Sequence, residues 1–220
     1  MSRSSKRAAV LDAAFAIVGR DGVRALTYEA LTVETGLTKG GLLYHFPSRE
    51  ALLEAMHERV GEQWHTEMSR HAGRGAGAAG EASEGRAAGD SAGTVVGDAP
   101  AGTTGAPRAE EARLAAYVRS TAASATRAEL RLLLEAADED GLLLPWRRVL
   151  EEWAPAAPDP DDDATVDRFV ARLAADGLWL YEALTSEELL PPVRERLVAR
   201  IIDVAGARDD VPSDRGRSEA

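Results

Sequence analysis

The sequence predicts an all-α protein of about nine helices. Three observations carry that expectation. Apolar residues return every three to four positions through most of the chain, Ser/Thr caps and glycine stops punctuate those runs, and no stretch alternates apolar and polar residues as a half-buried strand does. The 220 residues, with 45% hydrophobic and 29% charged, supply enough apolar surface for a sizeable core.

The elements can be justified in order. A first helix spans about Ser5 to Gly19, with Val10, Leu11, Ala14, Phe15 and Val18 on one face, and Asp21-Gly22 closes it. Thr27 caps a short second helix that runs to about Thr35, and Gly36 supplies a left-handed turn that a side chain would resist. Thr38 caps a third helix to about His45. Pro47 breaks the chain, Ser48 caps again, and a long helix reaches about His71. Later helices are expected near 109–125, 127–138, 142–153, 163–185 and 192–205. The chain thus divides into a head (1–50), a connecting helix (51–71), an insertion (72–108), a helical body (109–205) and a polar tail (206–220). The insertion holds ten of the chain's twenty glycines and only Val95 and Val96 as large apolar residues. Such a stretch buries too little to offset its ordering entropy, so it is expected to be disordered, as is the tail.

Composition narrows the function classes. Cysteine is absent, which removes disulfides, thiolate metal sites and catalytic thiols. No run approaches the roughly 18 apolar residues of a membrane span. The opening Met1-Ser-Arg-Ser-Ser-Lys-Arg7 leads into a helix rather than a secretion signal, so a cytoplasmic protein without a membrane partner is expected. Net charge is −11, yet residues 1–50 carry seven Lys/Arg against five Asp/Glu. A mildly basic head on an acidic body leaves only the head suited to a polyanion.

Several chemical signals dissolve on inspection. Gly75-Ala-Gly77-Ala-Ala-Gly80 fits the dinucleotide fingerprint but has no strand before it. His57-Glu58 begins like a zinc-protease motif, but Gly61 stands where the second histidine belongs. Glu58, Glu62 and His65 share a helix face and read as solvated charges; Asp159, Asp161, Asp162 and Asp163 read as capping before a helix. No Ser/His/Asp ordering suggests catalysis, so no enzyme activity, metal or cofactor is expected.

Residues 27–46 are the informative stretch: a capped helix, a glycine turn and a second capped helix, closed by Leu31, Leu37, Leu42 and Phe46. The second helix shows Thr38, Lys39, Gly40, Gly41, Tyr44 and His45 on its outer side. That side suits a duplex. Lys39 is a mobile cation, the two glycines hold nothing away from the backbone, and Tyr44 and His45 can reach phosphates or base edges.

Over residues 5–55 the chain resembles the tetracycline-repressor (TetR) family of bacterial regulators, through Thr27, Leu31, Gly36-Leu37-Thr38, Gly40, Leu42, His45-Phe46 and Arg49-Glu50-Ala51-Leu52. The resemblance implies a helix-turn-helix head and a regulatory body. It also implies a homodimer built from the last two long helices, here 163–205, and release of a palindromic operator when a small effector enters the body. Carried over by position, Thr27 and Thr38 are caps near phosphates, and Lys39, Gly41 and Tyr44 face base edges. His45 and Arg49 are backbone anchors, and Gly40 permits close approach. The chain departs from the family where Leu43 replaces a tyrosine and where Thr32 and Thr35 replace alanines at a tight helix contact. Their hydroxyls can bond back to the preceding turn.

In the body, apolar residues of 163–185 cover more than one helix face, and 192–205 behave similarly, so one face serves the core and another a partner subunit. Ala174 and Gly177 allow close helix approach. Trp64, Tyr117, Trp146 and Trp179 are candidates to line an effector cavity. Two other readings compete: a helical small-molecule-binding protein with a merely structural head, and a regulator whose input is a protein partner.

Overall fold

Caps, glycine turns and apolar stripes build the chain as its sequence suggests. The computed structural model describes residues 3–84, 105–123, 125–137, 140–185 and 189–206; among these are nine α-helices and no strand. They are α1 (Arg3–Asp21), α2 (Tyr28–Thr35), α3 (Lys39–His45), α4 (Arg49–Glu84), α5 (Gly105–Ala123), α6 (Arg127–Ala136), α7 (Asp140–Trp153), α8 (Asp163–Leu184) and α9 (Pro191–Gly206), with a 3₁₀ turn at Val23–Ala25 between α1 and α2. No described helix is long and apolar enough to cross a membrane.

The chain divides into two compact units. Unit 1 comprises Met1–Thr66, Ala123–Glu152 and Leu178–Leu189; unit 2 comprises Glu67–Ala122, Trp153–Gly177 and Leu190–Ala220. In unit 1, α1 packs against α2 and α6, and α2 against α3. Val10, Ala14, Ile17 and Val18 of α1 are buried, as are Leu31, Leu42, Phe46, Leu52 and Met56. In unit 2, α5 buries Leu114, Ala116, Tyr117 and Val118, and α8 buries Ala171 and Ala175.

The expected local devices are present. Thr27 Oγ1 accepts the amide N–H of Ala30 and Thr38 Oγ1 that of Gly41, at 3.1 and 3.2 Å. Ser48 Oγ accepts from the amide of Ala51 at 3.1 Å. Gly36 has φ +69°, the left-handed value the turn requires, and Gly22 has φ +91°. The hydroxyls of Thr32 and Thr35 donate to the carbonyls of Glu29 and Leu31 at 2.7 and 2.6 Å, which satisfies them without disturbing the packing.

The expectation of a disordered insertion at 72–108 is corrected at both ends. Helix α4 continues past His71 to Glu84, and α5 already begins at Gly105. Residues 72–84 contain five alanines beside their four glycines. Alanine is the best helix former, and a helix nucleated upstream adds turns cheaply. Pro107 sits in the first turn of α5, where its missing N–H costs nothing. The remainder of that expectation, 85–104, and most of the tail, 207–220, lie outside the described residues.

Helices α4 and α7 approach closely in unit 1 because Gly61 faces Pro145. A Cβ on Gly61 would lie 3.0 Å from Pro145 Cβ and 3.3 Å from its carbonyl oxygen. Gly61→Ala is therefore expected to destabilise the protein by about 1–3 kcal/mol through overpacking against backbone that cannot yield. Gly73→Ala, with open space around its Cβ, is expected to stabilise α4 slightly. Urea unfolding of both variants checks the pair of signs.

Candidate functional site

Helix α3 is held from below and left bare above. Its Leu42 and the adjoining Phe46 are 0% and 2% exposed, whereas Tyr44 is 64% exposed and Thr38, Lys39 and Gly40 lie on the surface. Gly41 and His45 are partly covered, as is Leu37, expected in the core. The hydroxyl of Tyr28 on α2 donates to the carbonyl of Phe46 at 2.6 Å and fixes the exit of α3.

The candidate contact residues differ in their surroundings. Lys39 Nζ pairs with Glu29 Oε1 at 3.0 Å, and this hydrogen bond holds the Glu29 carboxyl below the usual carboxylate range. Tyr44 and His45 meet edge to face with ring centres 5.2 Å apart. A Cβ added to Gly40 meets nothing within 4 Å, and neither Gly40 nor Gly41 has positive φ. Nothing inside the fold thus demands glycine at 40, although glycine weakens a helix interior by roughly 0.5–1 kcal/mol. Arg49, by contrast, turns toward the protein: its guanidinium donates to the carbonyl of Val23 at 3.0 Å and lies 4.0 Å from Glu135.

Helix α6 ties the head to the rest of unit 1. Arg131 donates to the carbonyls of Val18 and Gly19, in the last turn of α1, at 2.7 and 3.0 Å. Two residues earlier, Glu129 closes a capping box with Thr126, and its Oε1 accepts the indole N–H of Trp64 at 3.2 Å. Burial raises the pKa of this carboxyl, against its hydrogen bonds to Thr126 and Trp64.

Three of the four candidate effector residues come together. Trp64 lies 6.3 Å from Trp146 and 6.2 Å from Trp179, ring centre to ring centre. Tyr117 belongs to unit 2, where its hydroxyl donates to Asp176; burial raises the pKa of both groups. His57, unremarkable in the sequence once the protease motif failed, extends the unit 1 cluster. Its ring lies 6.3 Å from that of Trp146, and its Nδ1 accepts the Trp146 indole N–H at 2.9 Å. Only spatial neighbours separated by 89 residues reveal this role.

Among the described residues no group of three or more acidic or histidine side chains is placed to hold a metal. His65 pairs with Glu152 at 3.1 Å, and Asp162 accepts from the amide of Ala164 at 2.9 Å as a helix cap does.

A family model described as bacterial regulatory proteins of the tetR family matches residues 10–56, and one described as a tetracyclin repressor-like C-terminal domain matches residues 111–206. The chain is similar in fold to the multidrug-binding protein EbrR solved with ethidium, at 17% identity and TM-score 0.52, over 91% of this chain and 99% of that one. It is similar also to a TetR-family regulator from Rhodococcus sp., at 18% identity and TM-score 0.52, over 92% and 98%. No curated protein matches significantly.

His57 makes stability pH-dependent. Burial lowers its pKa from 6.5 to about 4 in the folded chain. Between those values the unfolded chain binds the extra proton, so stability is full above pH 6.5 and falls as the pH drops toward 4. The loss is of order 2–3 kcal/mol. Urea unfolding at pH 7 and pH 4.5 should show it in the wild type and not in His57→Gln; identical losses in both would refute the assignment.

Proposed function

The chain belongs to the TetR family of bacterial transcriptional regulators, with a DNA-binding amino-terminal domain, and we propose that it is a repressor that a small molecule releases from a palindromic operator. The observation that carries this reading is the bare outer side of α3. A seven-residue helix with two adjacent glycines, one of which the fold does not require, suits close approach of an outside surface. Lys39, Gly41 and Tyr44 then face base edges in the major groove, with Thr27, Thr38 and His45 toward phosphates and Gly40 admitting the backbone. Lys39 exchanges Glu29 for its nucleic-acid partner. Arg49 acts from behind by bracing Val23 and reaches a phosphate only if that bond opens.

The faces that α8 and α9 leave uncovered support a two-fold dimer. On α8, Val170, Leu173, Tyr181 and Leu184 are 42–60% exposed at three- and four-residue helical spacings, and Gly177 between them opens onto empty space. None of α9's residues is buried, and its Val193 and Leu197 are about two-fifths exposed. A second copy laid on this stripe places two recognition helices on one side of a duplex. The similar fold solved with ethidium supports a helical body as the small-molecule sensor. An effector that binds the DNA-free state more tightly weakens DNA binding by that same factor.

Two experiments test the reading. In gel shifts against a duplex selected from random sequence, Lys39→Ala and Tyr44→Ala should each lose sequence preference while staying folded. Gly40→Ala should weaken binding although it stabilises the helix by about 0.5–1 kcal/mol. Full discrimination by all three variants would reject α3 as the reading element. Leu173→Arg should convert the dimer to a monomer in sedimentation analysis and lower operator affinity at least tenfold, an unchanged dimer being the contrary result.

A further inference from the structure

Glu29 and Lys39 stand on different helices yet present their charges together. Glu29 lies in the first turn of α2, where the helix start alone favours a carboxylate. The helix start does not require the reach to Lys39, which opens α3 ten residues later. Lys39 Nζ donates to Glu29 Oε1 at 3.0 Å, and the two side chains are 60% and 73% exposed. An outside surface that meets the first turn of α3 therefore meets an ammonium and a carboxylate side by side. The carboxyl is ionised near neutral pH, because the hydrogen bond from Lys39 holds it below its ordinary range. Among the described residues, Lys39 is the one cation with which it pairs.

That makes Lys39 costly to draw away. If Lys39 turned to a phosphate, Glu29 would be left unpaired beside a polyanion, which like-charge repulsion disfavours. A base edge can receive both groups. In the major groove guanine offers N7 and O6 as acceptors, and the cytosine paired with it offers its N4 amino group as a donor. O6 and N4 are hydrogen-bonded to each other in the base pair, so they lie about 2.9 Å apart. The ammonium and the carboxylate, 3.0 Å apart, match that acceptor and donor in sign and in spacing. An A·T pair also sets a donor beside an acceptor. It gives the ammonium one acceptor instead of two, however, and puts the thymine methyl next to it.

We propose that Glu29 is a specificity-determining residue, whose carboxylate accepts from the N4 amino group of a cytosine while Lys39 donates to N7 and O6 of the guanine paired with it. Each charged group then gives up the other for a base, and neither is left bare. The proposal rests on α3 as the reading element, and adds to it a residue of α2 and a G·C pair in each half-site.

The test uses the full chain and the duplex it selects from random sequence. Gel shifts that vary each base pair of a half-site should find a G·C pair at which Glu29→Ala and Lys39→Ala each lose about tenfold of discrimination. At that pair, N4-methylcytosine replaces the amino hydrogen that faces the groove and keeps the pairing. It should weaken binding of the wild type about tenfold and leave that of Glu29→Ala unchanged. 7-Deazaguanine, which lacks the N7 acceptor, should weaken the wild type and leave Lys39→Ala unchanged. Both are surface residues, so the variants are expected to fold, which circular dichroism checks. If Glu29→Ala tightens binding to all duplexes alike and keeps every base preference, the carboxylate only repels and the proposal is overturned. Equal weakening of wild type and Glu29→Ala by N4-methylcytosine, or no G·C pair at which both variants relax, overturns it too. If Lys39→Ala and Tyr44→Ala also keep full discrimination, α3 itself is not the reading element; if they lose it and Glu29→Ala does not, only the role of Glu29 falls.

Discussion

Helix α3 cannot stand alone, and the head exists to hold it. Seven residues with two adjacent glycines fall far short of the length at which a helix persists in water. Its stability is borrowed. Thr38 satisfies an amide of the first turn, Leu42 is sunk completely in the core, and Phe46 anchors the end under the hydroxyl of Tyr28. Gly36, in a conformation that side chains avoid, sets the angle at which α3 leaves α2. With its inner side so committed, the outer side is free to be chosen for contact rather than for packing.

Helix α6 gives that borrowed stability its second root. The last carbonyls of any helix lack partners within it, and Arg131 meets two in the final turn of α1. Glu135 stands near Arg49, which itself braces Val23. Glu129, on the same short helix, accepts from Trp64 in the aromatic cluster. A disturbance that displaces Glu129 therefore acts on the helix that holds α1, within one compact unit.

What the sequence disclosed was what local chemistry decides. Thr27, Thr38, Ser48 and Gly36 act within three residues of themselves, so their caps and turn were readable in advance. The back-bonding of Thr32 and Thr35 was readable for the same reason. The exposed stripe of α8 was foreshadowed by apolar residues on more faces than one core can use. The length of α4 is hidden in the sequence by its glycines, whereas the alanines between them carry the helix to Glu84. Tyr117 shares only residue type with the tryptophans, and its hydroxyl is committed to Asp176. The parts played by His57, Gly61 and Arg131 depend on neighbours 84 to 113 residues away, and no local pattern marks them.

The central claim is geometric: two copies present α3 to successive major grooves on one face of a duplex. Methylation interference at guanine N7, read on a duplex selected by the full chain from random sequence, tests it most directly. The account predicts two symmetric clusters of interference separated by about ten base pairs or a multiple of that spacing. A single cluster, or no interference at guanine N7 on a duplex that the chain still binds, would contradict it.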